Sequence, residues 1–491
     1  MKSVKIRTSM IIKLAYLYLV IPIVIFFCGW LKWYYAVIFS GAIIEALMLA
    51  FSTDSGTKEH LEIPLSALML LVCVSFAWVY ASGIGGFVWQ RADWHARNAT
   101  LHDLINNSWP IVFENGGGLS YYLCYWMVPA VFGKIFGWEV ANIVLFFWSI
   151  IGIILILILL TDHFKDNDGK ISFPKAATVI AFMVLWGGLN LIGQFIVFAK
   201  GHGSMSLGSI YGWSKYQYTP NNALLEWVFN QAIPAWIVGA LFLNERKQKN
   251  PQNYGILIML LIPFSPFAAL GFIPLLFSDI FAYDRKKILS TQNVLATVSI
   301  LPVFFAYYTC NTAISGKSGM SRIGLFRLDH GSLLYGFLVL TVFLCLEVLI
   351  YALLIWKKNR NDRMFWTVVI WLLIIPLIRI GPSRDFIMRG SIIPLFMLMT
   401  YVCETLTDKK FRENKFLYPT LIISLAIGFY SGAGDFVLTA INTADPQIEN
   451  IADDVRSMNN KNLDWWNDYM NATSYIAPNA EEKFFYKKLA R

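Results

Sequence analysis

Apolar stretches recur along the chain near 11–28, 34–51, 63–83, 139–161, 174–197, 226–243, 254–267, 268–283, 292–310, 332–355, 364–380, 389–405 and 416–434, with polar connections between them. Most approach the roughly 18 or more residues that an α-helix needs to cross hydrocarbon. The runs are continuous rather than alternating, which excludes a membrane β-barrel. The pattern predicts an all-α integral membrane protein with about 13 transmembrane helices, 11–14 being compatible with the spacing. The pair 254–267 and 268–283 is short and is broken by Pro263, Pro266 and Pro274. It reads as a hairpin of broken helices, tolerable where neighbours satisfy the freed backbone groups.

One further stretch, 119–136, is apolar enough to span. If it did, every later loop would change sides. Its Tyr121, Tyr122, Tyr125 and Trp126 suit the headgroup level, so it is expected to lie as a helix at the outer interface. The organisation that follows is three first spans (1–83), a large outer loop with interfacial helices (84–138), a transmembrane core (139–434) with outer loops 198–225, 311–331 and 381–388, and a polar outer tail (435–491).

Composition agrees: the chain is 57% hydrophobic and only 14% charged, with a mean hydropathy of +0.55. The net charge of +9 could suggest nucleic acid as a partner, but its placement argues otherwise. With the N-terminus inside, the inner segments hold roughly 22 Lys and Arg in about 74 residues, far denser than the outer loops, as the positive-inside rule requires. The clusters Arg246-Lys247-Gln248-Lys249, Arg285-Lys286-Lys287 and Lys357-Lys358-Asn359-Arg360 are therefore topology signals. The six cysteines fall in or beside apolar runs without ligand spacing and read as small hydrophobic residues. No small-residue cleavage site follows the basic N-terminus, so the first span is expected to remain uncleaved. The expected location is the inner (plasma) membrane, multi-pass, with a cytoplasmic N-terminus and an extracytoplasmic C-terminus.

Against this background one stretch is unusually polar: Arg91-Ala92-Asp93-Trp94-His95-Ala96-Arg97-Asn98-Ala99-Thr100-Leu101-His102-Asp103-Leu104. It opens the first large outer loop. Downstream come Leu119-Ser120-Tyr121-Tyr122-Leu123-Cys124-Tyr125-Trp126 and Gly133-Lys134-Ile135-Phe136-Gly137, which leads into the next span. This order resembles the GT-C superfamily of membrane glycosyltransferases, in which an acidic residue near the start of the first outer loop precedes an aromatic stretch and a Leu-Phe-Gly-like end. The resemblance is clear over 84–161. The His-Pro-Pro common before the aromatics is replaced here by Glu114-Asn115-Gly116-Gly117-Gly118, and two extra spans precede the loop.

The resemblance implies a polyprenyl-phosphate-linked sugar as donor and an envelope glycan, lipid or protein as acceptor, with Asp93 as the catalytic base and the active site outside. A carboxylate at the wet edge of a low-dielectric site can take the acceptor proton as the anomeric carbon is attacked. The plainer role for Asp93 is a helix N-cap or a salt bridge to Arg97 at i+4. Asp103, about 15 Å further along a continuous helix, is a second catalytic candidate that could position the acceptor or a divalent cation, Mg or Mn, if the reaction uses one. No metal site is assigned, and the spacing of His95 and His102 is a weak ligand signal. Trp94, His95, Arg97, His102, Tyr121 and Tyr122 are candidate substrate-binding residues.

A second polar group, Arg384-Asp385-Phe386-Ile387-Met388-Arg389, lies between two spans on the outer side, where positive charge is disfavoured. Arg384 and Arg389 suit the donor phosphate, since the planar guanidinium fork matches phosphate oxygens, and Asp385 accompanies them. Arg322 and Arg327 form a similar outer cluster with Asp329 and His330. The glycine- and aromatic-rich loop 201–222 holds His202 and could cover bound sugar. Glu45 and Glu347 are acidic residues inside apolar runs and need partners there. A carrier or flippase of lipid-linked sugars would depend on such midplane charges. An envelope polysaccharide polymerase or ligase would depend on a large outer loop late in the chain. The gathering of ionisable groups at the outer face favours the glycosyltransferase.

Overall fold

The computed structural model describes residues 2–52, 59–201, 212–281, 283, 285–311, 323–325, 333–380, 384–459 and 475–491. It is an all-α membrane protein with two-stranded β pairs at its edges. Seven helices are long and apolar enough to cross a bilayer: Thr8–Trp30, Trp33–Ser52, Trp138–His163, Phe173–Ala199, Asn221–Lys247, Leu333–Asn359 and Leu417–Ala444. Shorter apolar helices occupy Leu65–Ala81, Pro266–Ile280, Arg363–Leu377 and Ile392–Thr407. Thr291–Tyr308 and Tyr254–Leu261 complete the set, so each apolar stretch of the sequence holds a helix.

Continuous apolar composition makes these helices hydrophobic on every side, as lipid contact permits. Trp33–Ser52 is the clearest case: only 28% of its apolar window is buried, and Trp33, Val37, Ile38 and Met48 are exposed. An apolar surface of this kind marks a lipid interface. Asn221–Lys247 is the opposite case, with 94% of its window buried. It forms the axis of the bundle and packs against Trp138–His163 and Ile392–Thr407.

The stretch 119–136 divides in two. Gly118–Leu119 pairs as a strand with Ile476–Ala477 of the tail, and only Cys124–Phe136 is helical. Thirteen residues rise about 20 Å, less than the roughly 30 Å hydrocarbon core. Gly137, at φ 89°, turns the chain directly into Trp138–His163, which a residue with a side chain would resist. At the opposite end of the bundle, Ser3–Arg7 pairs antiparallel with His60–Pro64, tying the first connection to the N-terminus.

The tail is tied into the layer formed by residues 84–138. Ser120 donates its amide to the Tyr475 carbonyl at 2.8 Å, and the Tyr486 hydroxyl donates to the Leu119 carbonyl at 2.7 Å. Gly118 makes room for this contact, because a Cβ there would lie 2.6 Å from the Tyr486 phenol. The last residue, Arg491, donates through Nε to the Trp109 carbonyl at 2.9 Å.

Candidate functional site

The helix Trp94–Asn106 carries the polar stretch, and Asp93 stands at its N-cap position without making a capping hydrogen bond. Its Oδ2 instead pairs with Arg97 Nη2 at 3.1 Å, the i+4 contact that the spacing allows. Asp93 Oδ1 takes no partner among the described residues, and the side chain remains 26% exposed. The helix that carries it is fixed from below. The Trp94 indole donates to the Glu226 carbonyl at 3.0 Å and stacks on Phe229, and Arg97 Nη2 also donates to the Trp227 carbonyl. Both acceptors lie just before Val228, where the axial helix departs from helical geometry (φ −141°, ψ 38°).

Arg97 is almost fully buried, yet its Nε and Nη1 have no hydrogen-bond partner among the described residues. Arg389 comes from the short helix Asp385–Gly390, which packs against Pro266–Ile280. Its Nη1 pairs with Asp385, and its Nε is also buried without a partner. The two arginines lie near enough for the charge of Arg389 to act on Arg97. Tyr121 and Tyr122 stand beside Arg389, and Tyr121 and Tyr475 beside Arg97. Burial opposes the charge on each guanidinium. The adjacent carboxylates and phenols outweigh it, so both stay above the ordinary arginine pKa. Burial also lifts the Tyr122 and Tyr475 hydroxyls above the ordinary phenol value, which keeps them neutral donors. Arg384, half-buried and without an ion-pair partner among the described residues, is lowered by burial.

The structure thus brings together Asp93, Arg97, Tyr121, Tyr122, Asp385 and Arg389, with Arg384 adjoining. It leaves other candidates outside this group. Asp103 is fully buried, where Oδ2 accepts the Met458 amide at 2.8 Å and Oδ1 lies 3.3 Å from His102 Nδ1. It anchors the tail rather than facing Asp93. Trp94 is a packing residue, and His102 lies edge-on to Trp138. His95 faces the tail near Asp454 and Arg456. Burial lowers its pKa, Asp454 raises it and Arg456 lowers it further. His202, Arg322 and Arg327 lie outside the described residues. No group of three or more metal-ligating side chains occurs among the described residues.

Two features escape sequence reasoning. One is Tyr475, whose ring lies 4.2 Å from that of Tyr121. The other is a buried ion triad under the site. Arg91 Nε pairs with Glu226 at 2.9 Å and Nη2 with Asp435 at 2.5 Å, between the Trp89 and Trp227 rings. The available signal was a single carboxylate at the edge of each of two apolar runs, Glu226 at the start of 226–243 and Asp435 just past 416–434.

A separate polar cavity of about 370 Å³ lies at the other end of the axial helix, lined by His163, Arg246, Asp362, Tyr401 and Glu404 among others. Its arginine is already neutralised by Asp279 and Asp362. No protein-family model matches the chain, and no curated protein or solved structure is significantly similar to it.

Proposed function

We propose that the protein is a GT-C-like glycosyltransferase of about thirteen spans. It moves a sugar from a polyprenyl-phosphate donor to an envelope glycan, lipid or protein at the outer face of the cell membrane. The observation that carries this reading is the pair of neighbouring buried arginines, Arg97 and Arg389, each with an unpartnered donor, the first of them paired with Asp93. An unpaired buried guanidinium nitrogen is costly, and an anion is the ligand that relieves it.

Charge balance supports a monophosphate. Three guanidiniums (Arg97, Arg384 and Arg389) face two carboxylates (Asp93 and Asp385), which leaves one positive charge for the single negative charge of a phosphodiester. As the glycosidic C–O bond breaks, charge grows on the departing lipid phosphate, and fixed donors there favour the transition state over the ground state. Asp93 accepts the acceptor hydroxyl proton through its free Oδ1, while Arg97 holds Oδ2 and with it the orientation of the carboxylate. The stacked phenols of Tyr121, Tyr122 and Tyr475 supply an apolar wall with hydroxyl edges, which suits a sugar ring. Positive-inside orientation puts this machinery outside.

The test compares envelope glycans from cells that carry wild-type or Asp93→Asn protein at matched membrane levels. Loss of one defined glycosyl substituent in the variant is expected. An unchanged profile, in cells where deletion of the protein does alter it, would remove Asp93 from the chemistry.

A further inference from the structure

The span Trp33–Ser52 packs against Thr8–Trp30 and Thr291–Tyr308, and buries Ala36, Ile43, Ala46, Leu47 and Ala50. Its other face is exposed along Val37, Ile38, Gly41, Ile44, Glu45 and Met48. These positions, three and four apart, line one side of a helix. A carboxylate thus stands in the middle of a lipid-facing stripe, and it makes no hydrogen bond or ion pair among the described residues. Ionisable groups inside a membrane bundle ordinarily face its interior and find partners there. Glu347 does so, being 1% exposed and accepting from the Asn190 amide at 3.3 Å. Glu45 points the other way.

Two ring contacts with the neighbouring span fix the depth of Glu45. Phe39 meets Phe27 and Phe51 meets Tyr16, each with centroids 6.1 Å apart. Glu45 lies halfway between Phe39 and Phe51 in sequence, so it is level with Ile21 and Pro22, near the middle of Thr8–Trp30. Each end of its own helix is roughly 10 Å or more away. Long lysine and arginine chains reach the headgroups by snorkelling from near a helix end. The shorter glutamate side chain does not reach them from this depth. Gly41, one turn away, adds a second feature. A Cβ there would meet nothing within 4 Å, so no contact inside the chain calls for glycine. Glycine weakens a helix, but on a membrane-facing surface it lets a second helix approach closely.

We infer that this face docks a transmembrane helix of a different membrane protein, one that carries a lysine or arginine at mid-span to pair with Glu45. Charge complementarity selects that occupant. Lipid chains offer no donor. Lys13 sits over the Phe51 ring, about 9 Å along the helix from the level of Glu45, so the chain does not answer the charge itself. A second copy would not answer it either. Among the described residues, every lysine and arginine of the membrane-spanning helices lies near a helix end. The inference is independent of the glycosyltransferase reading and needs no sugar substrate to test.

The experiment places a photo-activatable phenylalanine analogue at Val37 or at Met48, which flank Glu45 and are 65% and 54% exposed. The full-length protein is illuminated in the membranes of the cells that make it, and the adducts are identified by mass spectrometry. Both positions are expected to capture the same second protein, with a lysine or arginine near the middle of one of its spans. The yield should fall at least tenfold in Glu45→Leu, and equally when that basic residue is replaced by leucine. Adducts with lipid alone, with a second copy of this chain or with a protein lacking such a residue overturn the inference, as does an adduct that survives either substitution. The melting temperature of the purified protein should be unchanged in Glu45→Leu, because the side chain touches no partner within the chain. A fall would place its partner inside the chain and overturn the inference as well.

Discussion

The phenol rings of Tyr475 and Tyr121 lie 4.2 Å apart at an angle of 32°, although one belongs to the C-terminal tail and the other to the connection between Leu65–Ala81 and Trp138–His163. The β pairing of Gly118–Leu119 with Ile476–Ala477 sets this contact, since it continues into the Ser120 amide bond to Tyr475 and so brings Tyr121 alongside. The tail therefore forms one wall of the candidate site. Aromatic pairs of this kind contribute about 0.5–1.5 kcal/mol beyond area burial. Tyr475→Ala should lower glycosyl transfer by roughly tenfold at unchanged membrane level, which is about 1.4 kcal/mol of transition-state stabilisation. Tyr475→Phe keeps the stack and should retain most of the activity. Equal loss in both variants would shift the role from the ring to the hydroxyl.

Arg97 and Arg389 are expected to act through directed donors rather than charge alone. Lysine supplies the charge without the planar fork. Arg97→Lys should therefore lower turnover by roughly 10²- to 10³-fold, the usual effect of removing a fixed donor at a site of developing charge. Assays on membranes with matched protein content check this. Activity within a few-fold of wild type would mean that the unpartnered nitrogens do not meet the phosphate.

Hydropathy made the helices legible, because continuous apolar runs and basic connections are local properties of the chain. Asp93 and Arg389 were legible as outliers, being charged residues at positions where lipid-facing sequence disfavours them. The approach of Arg389 to Arg97, the partner of Asp93, was not legible, since it depends on the short helix Asp385–Gly390 packing on Pro266–Ile280. Tyr475 carries no local signal, because one tyrosine in a polar tail resembles any other until the strand pairing places it. Asp103 stood second to Asp93 as a candidate in sequence, and the Met458 amide 2.8 Å away reveals an anchoring role. Expecting one helix over 119–136 likewise missed the strand at its start, whose partner lies in the tail.

His95 gives the packing of the Trp94–Asn106 helix against the tail a pH dependence of definite sign. Burial holds the imidazole below its ordinary value, against a smaller opposing effect of Asp454. The unfolded chain then binds the proton more readily than the folded one. Stability should fall as pH drops below the unfolded value of about 6.5. The decline should level off below the folded value. Replacing His95 with Gln should flatten the change in melting temperature between about pH 7 and pH 5. A slope unchanged by the substitution would assign the effect to other groups.

Beneath the site, one guanidinium serves two carboxylates, and the excess decides which substitution is harmful. Arg91 bonds both Glu226 and Asp435, while Asp435 Oδ2 has no partner. Removing Arg91 leaves two buried carboxylates without a counterion. Breaking a buried pair from one side costs about 3–5 kcal/mol, so Arg91→Met should lower the melting temperature sharply or prevent accumulation. Asp435→Asn has the opposite logic. It leaves a balanced Arg91–Glu226 pair, keeps a hydrogen-bonding side chain at 435 and removes one uncompensated charge. Its melting temperature should match or exceed that of wild type. The decisive comparison is between these two variants in one detergent. If Asp435→Asn is as destabilising as Arg91→Met, the triad is held by geometry that the charge count does not capture. If both are silent, the triad contributes nothing to the position of the Trp94–Asn106 helix, and with it of Asp93.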